Sequence, residues 1–447
     1  MTMNWRKSIY LNYASLRGYR FPALLARYAE EYRRGAGRET TLQLLTGLLR
    51  HCKESVPYYA ELLRDINDDR DPMESLRRLP VLTKETIRSN FEKLKSNDLH
   101  RRKWYYNTSG GSTGKPVRLI QDREYADRGK AISLLYHILL GCDICQPLVT
   151  LWGSERDLEM GAEAPAARFF NWLTRTVWMN AFRMSTERMR GFVEMLNQMR
   201  PNLIVAYTQS AYELAQFVER ERLPLKPQRA IVTTAGTLYP FMRERIARAF
   251  GCNVYNQYGS REVSVMGCEV PGIDGLWVPP WSNFIEILDD DGMPLPDGEE
   301  GNIVVTCLTN FAMPLLRYQI GDRGSLMPNH TATDHAFQVF KQVSGRNMDV
   351  FRSRNETLVD AQYFIHLMYF RPWVEKFQVI QKDYEHILFK IVKLNGGPDK
   401  RELDEITAKS RLALGNECRV DFEFHTELPP HPSGKYRYTI SEVRSLS

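Results

Sequence analysis

The chain has 447 residues, 43% hydrophobic and 26% charged, a balance typical of globular proteins with a sizeable core. Its net charge of +6 is too thinly spread over that length to argue for nucleic acid, and no basic tract exceeds Arg101-Arg102-Lys103. Seven cysteines at irregular spacing do not read as a disulfide framework, and the longest apolar stretch, 131–142, is broken by Ser133 and His137 and falls short of a membrane span.

Taken in chain order, the first twenty residues lack the uninterrupted apolar region of a signal peptide. Reduced thiols in a cytoplasm, without membrane insertion, are the expectation. Residues 1–100 carry helical periodicity, as in Thr41-Leu42-Gln43-Leu44-Leu45, and form a helical lead-in. Next comes Asn107-Thr108-Ser109-Gly110-Gly111-Ser112-Thr113-Gly114-Lys115-Pro116, with three glycines, two serines and two threonines around one lysine. Glycine is costly to order, so a backbone closely approached by a ligand is one reading and a solvated Gly/Ser turn the other. A Walker A loop is excluded, because position 109 is serine and Lys115 is followed by Pro116. Strand-like residues on both sides, 103–106 and 117–120, predict a loop joining two strands, able to cradle phosphate with backbone N–H groups and hydroxyls. Helices at 125–140, 186–199, 210–222 and 240–250 then alternate with strands at 148–152, 203–206, 230–233 and 253–256. That rhythm predicts an α/β fold of mixed and parallel sheets with crossover helices. Cys142 and Cys145 end an apolar helical stretch, and with no second pair they read as packing residues. From about 277 to 345 short strands and turns predict a β-rich subdomain. Beyond Gly345 the texture becomes α+β: a helix at 362–369, strands at 377–381 and 386–392, a helix at 399–414 and a strand at 419–424. The expected division is a large domain over 1–348 and a small mobile C-terminal lid over 349–447.

Six elements fall in order: Thr108 to Pro116; Thr234-Ala235-Gly236; Tyr258-Gly259-Ser260-Arg261-Glu262; Arg317-Tyr318-Gln319-Ile320-Gly321-Asp322; Gly345-Arg346-Asn347-Met348-Asp349; and Pro432-Ser433-Gly434-Lys435. From about residue 104 onward the chain resembles the adenylate-forming enzymes: acyl-CoA synthetases, adenylation domains and luciferases. Three further stretches, residues 151–157, 311–318 and 377–381, are most similar to the phenylacetate-CoA ligase group and its CapK-like branch, associated with capsular polysaccharide biosynthesis.

The resemblance implies a carboxylic acid activated by ATP and Mg²⁺ as an acyl adenylate, with CoA or another acceptor following. It implies that Thr108, Ser109, Gly110, Gly111, Ser112, Thr113, Gly114 and Lys115 receive the β- and γ-phosphates and that Glu262 helps hold Mg²⁺. By the same likeness Tyr258 stacks on adenine with Gly259 and Ser260 beside it, Ala235 and Gly236 lie against the ring, and Asp322 accepts from the ribose hydroxyls. Arg346 falls at a ribose or phosphate contact, Lys435 bridges the acid and the phosphates, and Asp349 is the hinge. Trp152, Tyr207 and Ser210 are candidates for the acyl pocket, with core packing as the other reading, and their aromatic character leans towards a flat acid. Many members carry a Cys/His zinc site near the β-rich subdomain. Here Cys268 and Cys307 remain, but Gly275-Leu276-Trp277 and Gln342-Val343-Ser344 stand where other ligands are expected, so no zinc is expected. After the hinge, residues 350–356 depart from the pattern that serves thioester formation. That leaves CoA, an amine, an amino sugar or a carrier protein as acceptor. A nucleotide-binding pseudoenzyme of polysaccharide assembly is the reading from another class, and intact Lys435 and Glu262 speak against it.

Overall fold

The structure, a computed structural model, describes residues 4–443 apart from 36, 66–70, 109–116, 153–164, 181–183, 329–336, 345–349, 356, 370, 372, 394–396 and 429–437. The chain forms two compact units, each assembled from separate stretches. The first comprises Met1–Gly110, Val117–Ile144 and Tyr255–Gly345; the second comprises Gly111–Pro116, Cys145–Val254 and Arg346–Ser447.

In the first unit the expected helical lead-in is present as α1 (Trp5–Leu16), α2 (Phe21–Arg33), α3 (Arg38–Ser55), α4 (Pro57–Leu62), α5 (Pro72–Arg77) and α6 (Lys84–Ser89). On α3 the buried Leu45, Leu48, Leu49 and Cys52 recur at helical spacing, and they share one core with Ile303, Val305 and Tyr318. Each such leucine contributes on the order of 1.5–3 kcal/mol by leaving water. The loop-flanking strands form an antiparallel pair, β1 (Trp104–Thr108) and β2 (Arg118–Asp122), with Trp104 opposite Asp122 and Thr108 opposite Arg118. Asp122 ends β2 and caps α7 (Arg123–Leu139), its side chain accepting from the Tyr125 N–H at 2.8 Å. Cys142 and Cys145, just beyond α7, are both buried.

In the second unit, strands β3 (Leu148–Trp152), β4 (Thr176–Asn180), β5 (Leu203–Tyr207) and β6 (Ala230–Thr234) lie parallel in the order β6-β5-β3-β4. Helices α8 (Pro165–Thr174), α9 (Thr186–Met199), α10 (Thr208–Arg220) and α11 (Pro240–Phe250) connect or follow them. Every residue of β5 and β6 is buried, as helix-covered parallel strands require.

The chain then returns to the first unit. There β7 (Asn253–Ser260), β8 (Ser264–Glu269), β9 (Leu276–Trp277), β10 (Asn283–Leu288), β11 (Gly301–Cys307), β12 (Tyr318–Leu326) and β13 (Val339–Ser344) run in the order β10-β11-β12-β13-β9-β8-β7, with antiparallel neighbours throughout. This is the expected β-rich region, extended upstream through β7 and β8.

The last segment belongs to the second unit: the hairpin β14 (Val350–Arg352) and β15 (Leu358–Asp360), α12 (Gln362–Tyr369), β16 (Val374–Asp383), β17 (His386–Lys393), α13 (Lys400–Leu414), β18 (Arg419–His425) and β19 (Thr439–Ser441). Its sheet has the order β18-β17-β16-β19, and its Phe351, Tyr363 and Phe389 join a core with Leu214 and Phe217 of α10. Among the described residues no helix is long and apolar enough to cross a membrane.

Candidate functional site

In the first unit a turn between β7 and β8 carries Glu262, which is buried. Three neighbours hold that turn through its backbone. Gln121 of β2 donates to the Arg261 carbonyl at 2.7 Å and to the Glu262 carbonyl at 3.3 Å, and the Tyr125 hydroxyl donates to the Glu262 carbonyl at 3.4 Å. Asn107 of β1 donates to Gln121 Oε1 at 2.8 Å and to the Arg261 carbonyl at 3.3 Å, so both strands flanking the glycine-rich loop are tied to the Glu262 turn. Thr108 closes β1, its N–H donating to Asn107 Oδ1 at 2.8 Å.

β12 reaches both the turn and the end of β7. The Tyr318 hydroxyl donates to Glu262 Oε1 at 3.4 Å, and four residues on Asp322 Oδ2 accepts from the Tyr258 hydroxyl at 2.8 Å. The strand is fixed at its start by Arg317, which is buried, has φ +49° and pairs with Glu286 at 3.2 Å while donating to the carbonyls of Arg77 and Leu79. Burial pushes the Glu286 carboxyl upward and the Arg317 charge opposes it. Arg317 is therefore a structural anchor of its motif. Gly259 is required sterically: a Cβ there would lie 2.9 Å from the Ser264 carbonyl oxygen and 3.1 Å from Val265 Cα. Ser264 itself has φ +63°, a left-handed backbone rare outside glycine, and Ser260 Oγ accepts from the Val263 N–H at 3.4 Å.

In the second unit Ala235 also has positive φ, +61°, directly before Gly236. The Thr208 hydroxyl lies within donating distance of the Thr234 carbonyl at 3.2 Å and the Gly236 carbonyl at 3.1 Å, bracing that bend. Trp152 and Tyr207, at the ends of adjacent parallel strands, have ring centroids 4.4 Å apart. Tyr207 and Ser210 are buried at the start of α10. One turn on, Glu213 receives Gln209 at 2.9 Å and Arg352 of β14 at 3.2 Å. Burial raises the Glu213 pKa, and Arg352 pulls against it. Residues Ser109, Gly110, Gly111, Ser112, Thr113, Gly114, Lys115, Arg346, Asp349 and Lys435 lie outside the described residues.

Residues 351–442 match the CapK C-terminal domain model. The chain is 24% identical over 409 residues to Protein CapK of Staphylococcus aureus, covering 88% of this chain and 87% of that one. It is 25% identical over 399 residues to the phenylacetate-coenzyme A ligase of Escherichia coli (strain K12), covering 84% of each. In three dimensions it superposes on 2-hydroxyisobutyryl-CoA ligase, solved with 2-HIB-AMP and CoA in the thioesterification state, with a TM-score of 0.58 at 16% identity over 92% of this chain and 90% of that one. The fold is that of the adenylate-forming ligases.

On this fold, β12 links the expected residues, Tyr318 bonding Glu262 and Asp322 bonding Tyr258, and Thr208 braces the bend at Ala235 and Gly236. Sequence reasoning assigned no role to Asn107, Gln121, Tyr125, Tyr318 or Thr208. Tyr318 sat inside a quoted motif. The other four act through hydrogen bonds to backbone carbonyls distant in sequence, for which a linear pattern holds no signal.

Proposed function

We propose that the protein is an ATP-dependent adenylate-forming ligase that activates a carboxylic acid and passes the acyl group to CoA. The observation that carries this reading is the pair of cross-links made by β12, Tyr318 to Glu262 and Asp322 to Tyr258, which ties together two acidic side chains, Glu262 on the β7–β8 turn and Asp322 on β12.

In the reaction a carboxylate oxygen attacks the α-phosphorus of ATP, the bond from that phosphorus to the bridging oxygen breaks, and pyrophosphate leaves. Two anions must meet, so the site has to offset charge where it builds. Glu262 would hold Mg²⁺, which takes one or two protein carboxylates when phosphates supply other ligands. A bound Mg²⁺ supplies charge neutralisation at the phosphate oxygens. Asp322, oriented by the Tyr258 phenol, would accept from the ribose hydroxyls, and Tyr258 would present its ring to the base. Ala235 and Gly236 would border the base, and the loop from Thr108 to Lys115 would receive the outer phosphates. Lys435 would bridge acid and phosphate, acting by position and charge. A second reading, an amine or amino sugar as acceptor, is favoured by the ion pair that engages Arg352 in the segment departing from the thioesterifying pattern.

The test is acid-dependent ATP–pyrophosphate exchange across a carboxylic-acid library, followed by CoA, amine and amino-sugar trials with the best acid. Lys435→Ala abolishes exchange while leaving ATP affinity within a few-fold. Loss of ATP binding together with exchange would make Lys435 structural, and absence of exchange with every acid overturns the adenylation reading.

A further inference from the structure

Two carboxamides of the first unit, Asn107 and Gln121, link the strand end from which the glycine-rich loop departs to the turn that carries Glu262, and the chemistry above gives them no part. They lie on one face of the β1–β2 hairpin, where Asn107 is opposite Leu119 and Tyr105 is opposite Gln121. Diagonal neighbours of that kind are within reach of each other's long side chains. Gln121 is 1% exposed, and Asn107 is half-buried.

Their hydrogen bonds run in one direction. The Thr108 N–H donates to Asn107 Oδ1 at 2.8 Å, and Asn107 Nδ2 donates to Gln121 Oε1 at 2.8 Å and to the Arg261 carbonyl at 3.3 Å. Gln121 Nε2 then donates to the carbonyls of Arg261 at 2.7 Å and Glu262 at 3.3 Å. The ends of the chain fix its order: a backbone N–H only donates and a carbonyl only accepts, so neither amide can be turned over without opposing like groups. Each link polarises and strengthens the next. The Tyr258–Asp322 bond, by contrast, joins β7 to β12 and shares no atom with this relay.

We propose that Gln121, with Asn107, is a positioning residue that sets the backbone of the Glu262 turn against the start of the glycine-rich loop, and that binding of ATP, but not of AMP, depends on it. The proposal rests on the adenylate-forming reading. AMP lacks the outer phosphates that loop and turn would receive together, so its contacts through Tyr258 and Asp322 are indifferent to the relay. Gln121 acts through two carbonyls of the turn and touches no reacting atom.

The full chain is compared with Gln121→Met, which keeps the side-chain length without the amide, with Asn107→Ala and with the double variant. Calorimetry reads ATP, in the presence of Mg²⁺, and AMP; pyrophosphate exchange reads kcat and the KM for the acid. Gln121→Met weakens ATP on the order of 10- to 100-fold. It leaves AMP within about twofold, as expected of sites that share no partner. In exchange kcat falls while the KM for the acid holds. Asn107→Ala shows a smaller loss of the same kind, and it decides the matter if Gln121→Met does not melt cooperatively. The double variant loses little more than Gln121→Met alone, because the two amides form one chain. Equal weakening of ATP and AMP makes Gln121 an ordinary structural residue and overturns the proposal, as does unchanged ATP affinity or simple additivity of the two single losses. A parent without exchange for any acid sinks the adenylation reading, and the ATP-to-AMP ratio still decides the relay. Exchange in a parent whose ratio is indifferent to Gln121 does the reverse, and a parent that binds neither nucleotide overturns both.

Discussion

At Asp322 one carboxylate oxygen is held by the Tyr258 phenol at 2.8 Å, which orients the group before any ligand arrives. If this carboxylate serves the ribose, Asp322→Ala weakens ATP and AMP alike, by on the order of tenfold or more for lost charge-assisted hydrogen bonds. Lys115→Ala, by contrast, weakens ATP more than AMP, which lacks the outer phosphates. Calorimetry with both nucleotides checks the pair of expectations, and equal losses for Lys115→Ala would remove the glycine-rich loop from its phosphate role. A second carboxylate makes a pH prediction. Arg102 grips both oxygens of Asp98, at 2.8 and 2.7 Å, and also reaches Asp122 at 2.9 Å, beneath the β1–β2 hairpin. The hydrogen bonds from Arg102, foremost, hold the Asp98 carboxyl at about 2, against an ordinary 3.8. A depressed carboxylate stabilises the fold fully above its unfolded value, and that contribution fades as pH falls through the folded one. Relative to Asp98→Asn the parent should be more stable by about 1 kcal/mol at pH 7, after solvent screening is allowed for, with the difference vanishing between about pH 4 and 2. Urea unfolding of both proteins across that range measures it.

At the scale of elements, the β7–β8 hairpin and the β14–β15 hairpin each carry one contact that a substitution tests. An added methyl at Gly259 meets backbone atoms of Ser264 and Val265 that cannot yield cheaply, whereas at Gly236 it meets Thr208 Cβ at 3.4 Å, an ordinary contact. Gly259→Ala should therefore cost about 1–3 kcal/mol and displace Glu262, lowering the urea midpoint and exchange together, while Gly236→Ala leaves the midpoint near the parent's. On α10, removing Arg352 strands the buried Glu213 carboxylate. Arg352→Ala should cost about 3 kcal/mol, and Arg352→Met combined with Glu213→Gln much less, because the second change removes the orphaned charge. A double-mutant cycle in urea reads the coupling. These elements also show what a sequence can tell. The stretch from Leu203 to Ala206 was legible as a strand, one residue short of the observed end at Tyr207, because a fully buried parallel strand is a continuous apolar run between helices. Thr176–Asn180 was missed, since its two most exposed side chains, Val177 and Trp178, are apolar neighbours and break the alternation that marks a half-buried strand. Of the site, the motif-bearing Tyr258, Glu262 and Asp322 were legible by resemblance. Gln121 and Thr208 were not, because their partners are carbonyls that only strand register and chain reversal bring near.

For the whole molecule, a two-step ligase has to release pyrophosphate and then admit an acceptor, which a swinging C-terminal segment would accomplish. We place the pivot at Asp349. Any turn about it has to part Arg352 from Glu213. Asp349→Pro fixes φ and removes an N–H, so it should leave adenylate formation within a few-fold and slow acyl transfer from preformed adenylate by at least tenfold. Single-turnover assays separate the two steps, and equal losses in a protein that melts like the parent would sink the pivot. The route of the chain through its two units has a further consequence, for synthesis. The first unit needs residues 255–345 to cover what residues 1–144 contribute, and the second needs 346–447 to complete 145–254. At a translation rate of roughly 5–20 residues per second, the helical lead-in waits some 10–40 s for its cover. During that interval Leu45, Leu48 and Leu49 of α3 lack the Ile303 and Val305 they pack beside in the finished core. Nascent chains stalled before residue 300 should thus be protease-sensitive and chaperone-bound, and resistance should appear in a single late step as the ribosome passes the end of the antiparallel layer.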